Sequence, residues 1–177
     1  IIDGGQNGRV VIIGGQEKPS KALNTVEIYD PTSNTWSAGA SSSKKRGDGH
    51  TATVMSDGKI LVVGDDEYSS AEIYDPSSNE WSDGGTLNYP RVSASSTLLG
   101  DGRVLVAGGS DRSSLGRKLL DSAEIYDPST NEWTITDSME QVHAGHGSAI
   151  LNDGKVLVIG NFLNEVFDPS TDTWSAA

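Results

Sequence analysis

The stretch Ala71-Glu72-Ile73-Tyr74-Asp75-Pro76-Ser77-Ser78-Asn79-Glu80-Trp81 carries the reading of this chain. The same wording runs from Val26 to Trp36 and from Ala123 to Trp133. It returns from Asn164 to Trp174 with Phe167 in the tyrosine place. Each copy sets its aromatic seven residues before its tryptophan. A second phrase interleaves with the first: an apolar run closed by glycine, at Val10 to Gly15, Ile60 to Gly64, Val104 to Gly109 and Val156 to Gly160. Successive tryptophans stand 41 to 52 residues apart. Self-similarity at such a period marks a repeat architecture, in which one unit cannot bury its apolar face alone.

One unit reads as strands throughout. His50 to Met55 alternates loosely. Ser56-Asp57-Gly58 forms a tight turn, read as a two-residue hairpin with glycine supplying positive φ. Lys59 to Val63 is a continuous apolar run with β-branched residues, as for a strand covered on both faces. Ala71 to Asp75 is a third strand, and Trp81 opens a fourth. Between them, Pro76-Ser77-Ser78-Asn79 is a turn: proline pre-sets φ and asparagine tolerates the left-handed conformation. Each unit is therefore a four-stranded antiparallel meander, and such sheets set radially make a β-propeller. Only Ser113 to Leu120 leaves room for a helical turn.

These features resemble kelch repeats, and the Asp-Gly-Lys-Val-Leu-Val and Glu-Ile-Tyr-Asp-Pro wording resembles the bacterial variety. The resemblance covers nearly the whole chain. It implies an all-β fold of four kelch repeats in one domain over 1–177, with blades near 1–40, 41–86, 87–138 and 139–177. It further implies that Tyr29, Tyr74, Tyr126 and Phe167 pack between blades with Trp36, Trp81, Trp133 and Trp174. The glycines Gly14, Gly15, Gly64, Gly108, Gly109 and Gly160 would allow tight turns. Asp65 and Asn161 replace the second glycine in two copies, and both tolerate positive φ. Two arrangements stay open, a partial ring of a larger propeller and a closed four-bladed ring.

Length variation is confined to one place. From each tryptophan to the next turn glycine the distance is 22, 21 and 21 residues, whereas from turn glycine to tryptophan it is 28, 23, 31 and 20. The varying loops are 16–25, 66–70, 110–122 and 162–163, all between second and third strands. A meander sets these loops on the face shared with the strand 4–1 links, where recognition on a rigid scaffold is usually found. That face carries the tentative binding residues Lys18, Lys21, Lys44, Arg46, Glu67, Tyr68, Arg112, Arg117 and Lys118. Phe162 and Leu163, apolar in the shortest loop, read as core plugs.

The expected function is a non-catalytic kelch binding or scaffold module for a protein or glycan. The alternatives are part of a carbohydrate-active enzyme, similar to galactose oxidase or a mutarotase, and a purely structural repeat segment. Further blades from the same or another chain are also expected as partners. With no cysteine in 177 residues, disulfides and the cysteine–tyrosine crosslink of the galactose-oxidase copper site are excluded. His50 and His146 hold equivalent places and read as structural. His143 stands three residues before His146, but without further ligands the expectation is no metal and no cofactor. A net charge of −12 argues against sequence-independent nucleic-acid binding. No apolar run approaches the ~20 residues of a membrane span. No signal peptide is visible and the chain begins at Ile1, leaving a processing site or the edge of a longer protein open. The absence of an Asn-x-Ser/Thr sequon gives no sign of a glycosylated ectodomain, and localisation stays open, with a secreted or cell-surface place favoured over a cytoplasmic one.

Overall fold

A computed structural model describes residues 2–3 (backbone only), 8–18, 21–47, 49–64, 69–111, 117–160 and 163–177. Each repeat folds into its own antiparallel sheet. Blade 1 has strands Ile2–Asp3, Val10–Ile13, Val26–Asp30 and Thr35–Gly39. Blade 2 has Thr51–Val54, Ile60–Val63, Ser70–Asp75 and Glu80–Thr86. Blade 3 has Ser95–Leu98, Val104–Ala107, Ala123–Asp127 and Glu132–Ile135. Blade 4 has Gly147–Ile150, Val156–Ile159, Glu165–Asp168 and Thr173–Ala176. Sequence neighbours pair in every sheet, and the described residues contain no helix.

The core lies between blades. Alternate side chains of Ile60–Val63 point to opposite faces. Ile60 and Val62 meet Val11, Ile13, Val26 and Ile28 of blade 1, and Leu61 and Val63 meet Val104, Val106 and Tyr126 of blade 3. All four are at most 1% exposed, so the continuous apolar run is the mark of a strand covered twice. Each such side chain contributes about 1.5–3 kcal/mol through burial. In blade 4, Val156 and Val158 are buried against Leu105 and Ala107, while Ile159 is 52% exposed.

That asymmetry settles the ring. Successive first strands adjoin from blade 1 to blade 4, but Gly147–Ile150 has no comparable contact with Ile2–Asp3. The described residues form an open arc, not a closed four-bladed ring. Its two ends leave Ile150 and Ile159 exposed on blade 4 and Trp36 on blade 1. Trp36, expected between blades, is uncovered for this reason.

Inside each blade the aromatic pair is a cross-strand pair. Tyr29 lies opposite Trp36, Tyr74 opposite Trp81, Tyr126 opposite Trp133 and Phe167 opposite Trp174. Their centroids are 5.0–5.1 Å apart and the rings are tilted, a favourable arrangement for aromatic quadrupoles. The tyrosine hydroxyls donate to Asn34, Asn79 and Asn131 Oδ1 at 2.7–3.0 Å. Those asparagines hold φ of 55–59°, as the turn chemistry requires. Phe167 loses the hydroxyl, and Asp172 stands at the asparagine position.

The Asp-Gly turns differ from the two-residue form. Gly58 N donates to Met55 O at 2.9 Å, and Met55 N donates to Lys59 O at 2.8 Å. This is a three-residue loop, a type I turn followed by a left-handed glycine. Asp57 Oδ1 accepts Lys59 N at 3.1 Å, which explains the aspartate. Lys118–Leu119 forms a strand with Ser110–Asp111, so no helical turn occupies that part of 113–120. Residues 113–116, like Asp65 and Asn161, lie outside the described residues.

The first glycine of each pair serves a second purpose. At Gly64 (φ 88°) a Cβ would collide with the carbonyl oxygen of Arg91 in the following link. Gly14 and Gly108 meet Arg46 and His143 in the same way. Gly58 has a similar φ of 83° but open space around it. Gly58→Ala is expected to cost the ~1–2 kcal/mol of the left-handed backbone alone. Gly64→Ala should cost about 1–3 kcal/mol more, because blade and link must separate. Equal melting temperatures for the two variants would refute the close-approach explanation.

Candidate functional site

The strand 2–3 loops of blades 1 and 3 are built as small β-hairpins. One pairs Gln16–Lys18 with Lys21–Ala22, and the other pairs Ser110–Asp111 with Lys118–Leu119. Both lie on the face of the strand 4–1 links. Leu23 bridges to Arg46 and Val92 bridges to Ser110, each joining a hairpin to a link. The links also meet one another: Ser93 N donates to Gly49 O at 2.7 Å, and Gly145 N donates to Ser93 O at 2.8 Å.

Six of the twelve described lysines and arginines, at 18, 21, 44, 45, 117 and 118, belong to this surface. Lys18 and Lys21 are cross-strand partners and exposed, and Lys21 pairs with Glu17. Arg117 and Lys118 are exposed on the second hairpin, where Arg117 Nε donates to Ser110 Oγ at 2.9 Å. Lys44 is half-buried in the first link. Leu119 and Tyr89, 40% and 41% exposed, add apolar area to the same face. Glu67, Tyr68, Arg112 and Phe162 lie outside the described residues, and Leu163 is half-buried.

Arg46 requires correction. It is fully buried and belongs to a set of link residues that fasten one blade to the next. Its backbone binds blade 1: Arg46 N donates to Leu23 O, and Gly15 N donates to Arg46 O, both at 2.8 Å. Its side chain enters blade 2, where Nη1 donates to Gly64 O at 2.7 Å and Nη2 to Glu72 Oε2 at 3.1 Å. Arg91 repeats the arrangement one blade on. Its Nη1 donates to Gly108 O and Ser122 O at 2.9 and 2.7 Å, and its Nε and Nη2 donate to Glu124 Oε1 at 3.1 and 3.0 Å. Burial lowers the Arg91 pKa, and the Glu124 carboxylate opposes that shift.

The third link uses His143. Its Nε2 lies 2.8 Å from Glu165 Oε2, with both side chains buried. Gly109 N donates to His143 O at 2.7 Å, completing the hold on blade 3. The imidazole is shorter than a guanidinium, and its buried Nδ1 has no hydrogen-bond partner. The ring packs where a Cβ on Gly160 would stand, so that glycine is needed for space and not for positive φ. In each link the residue three positions earlier also binds the carboxylate. Ser43 N donates to Glu72 at 2.9 Å, Asn88 N to Glu124 at 2.8 Å and Glu140 N to Glu165 at 2.6 Å. The sequence signal was a basic residue or histidine ten positions after each of Trp36, Trp81 and Trp133.

The remaining histidines line the inner strands. His146 Nε2 lies 2.8 Å from Ser95 Oγ, and His50 Nδ1 lies 3.0 Å from Gly47 O. Hydroxyls join the same strands across blades: Thr51 to Ser96 at 2.6 Å and Thr97 to Ser148 at 2.7 Å. His143 and His146 rings are 5.4 Å apart, yet each Nε2 already has a protein partner. Among the described residues no group of three or more His, Cys, Asp or Glu could hold a metal. The described residues contain no helix, and so none long and apolar enough to cross a membrane.

Two outcomes follow for the links. Arg91→Ala leaves Glu124 buried without its cation and is expected to cost about 3–5 kcal/mol, whereas Arg91→Met with Glu124→Leu recovers much of the loss. Urea denaturation reads both; an Arg91→Ala variant as stable as the parent would refute the role. Burial, reinforced by His143, lowers the His146 pKa to about 4. Because the folded value lies below the unfolded ~6.5, its stabilising effect is complete above about pH 6.5 and is lost as pH falls toward 4. Melting temperatures between pH 7 and 4.5 should fall less steeply in His146→Gln; an unchanged slope counts against the assignment.

The kelch motif matches residues 4–43 and 91–140 of this chain. Human Kelch-like protein 21 is 43% identical over 65 residues, which is 31% of this chain and 11% of the relative. Zebrafish (Danio rerio) Kelch-like protein 15 is 39% identical over 61 residues, 30% of this chain and 10% of the relative. The match thus spans about a tenth of the length of these relatives. Four aromatic-paired antiparallel blades, and a kelch-motif match over half of the residues, place this chain in the kelch-repeat family.

Proposed function

We propose that residues 1–177 act as a single non-catalytic binding module that engages an acidic segment of a protein through the loop-and-link face. The observation that supports this reading is the pair of hairpins with exposed cations. The four-stranded sheets repeat one plan, but these loops are extended and carry Lys18, Lys21, Arg117 and Lys118 out of the core. On a chain of net charge −12, clustered cations at one face favour a partner of opposite sign at that face. Leu119 and Tyr89 supply the apolar and aromatic contact area that interfaces use as anchors.

A displayed library of random peptides, selected against the intact chain, is expected to enrich acidic sequences. Lys18→Glu with Lys21→Glu, and Arg117→Glu with Lys118→Glu, should each weaken the selected peptides about tenfold, or ~1.4 kcal/mol. Melting temperature should hardly move, since these side chains are exposed. Peptides that bind both variants as well as the parent would refute the reading. So would binding found only on a glycan array.

A further inference from the structure

The link residues Arg46, Arg91 and His143 each enter a socket on the blade that follows. In blades 2 and 3 the socket has the same parts: the carbonyl of the first glycine, the carbonyl and hydroxyl of a serine, and a glutamate two residues later. Blade 1 repeats these parts as Gly14, Thr25 and Glu27. Their backbone arrangement is also repeated. Gly14 N donates to Thr25 O at 2.9 Å, as Gly108 N donates to Ser122 O at 3.0 Å.

The contents differ. Glu72, Glu124 and Glu165 are 6%, 0% and 1% exposed, each against a link residue. Glu27 is exposed and has no hydrogen-bond or ion-pair partner among the described residues. Trp36, on the neighbouring strand, is 56% exposed, whereas Trp81 and Trp133 donate their indole N–H to Ala40 O and Gly84 O of the preceding blade at 2.7 and 2.8 Å.

We infer that Gly14, Thr25 and Glu27 form an unfilled guanidinium socket, and that its ligand is the arginine of a link segment lying outside these 177 residues. Two carbonyls, a hydroxyl and a carboxylate around one site match the planar fork of five N–H donors on arginine, which the three donors of lysine do not reproduce. The filled sockets add a second requirement. The ligand segment must offer a free backbone N–H three residues before its arginine, because each glutamate accepts that bond too. The link residues Arg46, Arg91 and His143 of a second copy are held in their own sockets, which argues against a second copy as the donor. The socket lies at the base of the hairpin formed by Gln16–Lys18 and Lys21–Ala22, but its test compares arginine with alanine in the same fusion and needs no outside partner, so it is independent of the proposed function.

The probe is the chain's own second link. The sequence Leu87 to Arg91 is fused ahead of Ile1 with a three-residue spacer, which sets its arginine seventeen positions before Gly14, the separation of Arg91 from Gly108. Relative to the same fusion with alanine in place of that arginine, the melting temperature should rise by about 4 °C or more. The indole emission of Trp36 should shift to the blue, and lysine should give only part of the rise. Glu27→Gln should remove most of the difference between the arginine and alanine fusions. The inference is overturned if the two fusions melt together, or if the gain survives Glu27→Gln intact. It is also overturned if the unfused chain self-associates in sedimentation and Glu27→Gln abolishes the association, which would make a second copy the occupant.

Discussion

Arg46 binds blade 1 with its backbone and blade 2 with its side chain, and the rest of the arc depends on residues placed like it. A link in this position has two obligations. Its carbonyl must reach the glycine turn of the blade it leaves, and its side chain must reach the glutamate of the blade it enters. The first obligation accounts for Gly14, Gly64 and Gly108, since any Cβ there would strike the link carbonyl. The second accounts for the glutamate of the Glu-Ile-Tyr-Asp wording, which sits in an otherwise apolar strand and would be a buried, unpaired charge without it. A buried ion pair adds little net stability over an apolar pair of equal shape. Its consequence is specificity, because only a link with a donor side chain at one fixed position supplies the buried glutamate with a partner.

The apolar cores sit on top of this frame. Each is shared by two blades, and residues such as Ile60 and Leu61 belong to different cores although they are neighbours in sequence. The arrangement is that of a repeat protein in which stability is carried by nearest-neighbour contacts. It also explains why the ends differ from the middle. Ile159 and Trp36 hold repeat positions that are covered elsewhere, and they are exposed only because no described blade lies against them. The substitution of histidine for arginine in the third link shows how much the plan tolerates. His143 keeps the carboxylate contact and the backbone contacts, and leaves one ring nitrogen buried without a partner.

A face made of links and hairpins is then free to vary. The Asp-Gly and Asp-Pro turns on the other face are closed by their own aspartates, as Asp57 accepts Lys59 N and Asp75 accepts Ser77 N at 3.1 and 2.8 Å. Such turns fix their own length. The strand 2–3 connections differ in length, and in blades 1 and 3 they pair Gln16–Lys18 with Lys21–Ala22 and Ser110–Asp111 with Lys118–Leu119 beside intact four-stranded sheets.

The sequence by itself determined the strands, the four blades and the aromatic pairs. The strands and blades follow from local spacing, in apolar runs, turn residues and a repeated phrase, whereas the packing of the aromatics came through the resemblance to kelch repeats. It also located the variable loops, since counting between fixed points needs no third dimension. It misplaced Arg46. In the run Lys44-Lys45-Arg46 three cations look alike, and composition assigns them all to solvent. Only the tertiary structure separated them, because Glu72 lies 26 residues away and comes within reach of Arg46 only when blade 2 docks on the link. The open arc was likewise beyond the sequence. Whether two end blades meet depends on the angle accumulated between sheets, and no single repeat encodes that sum.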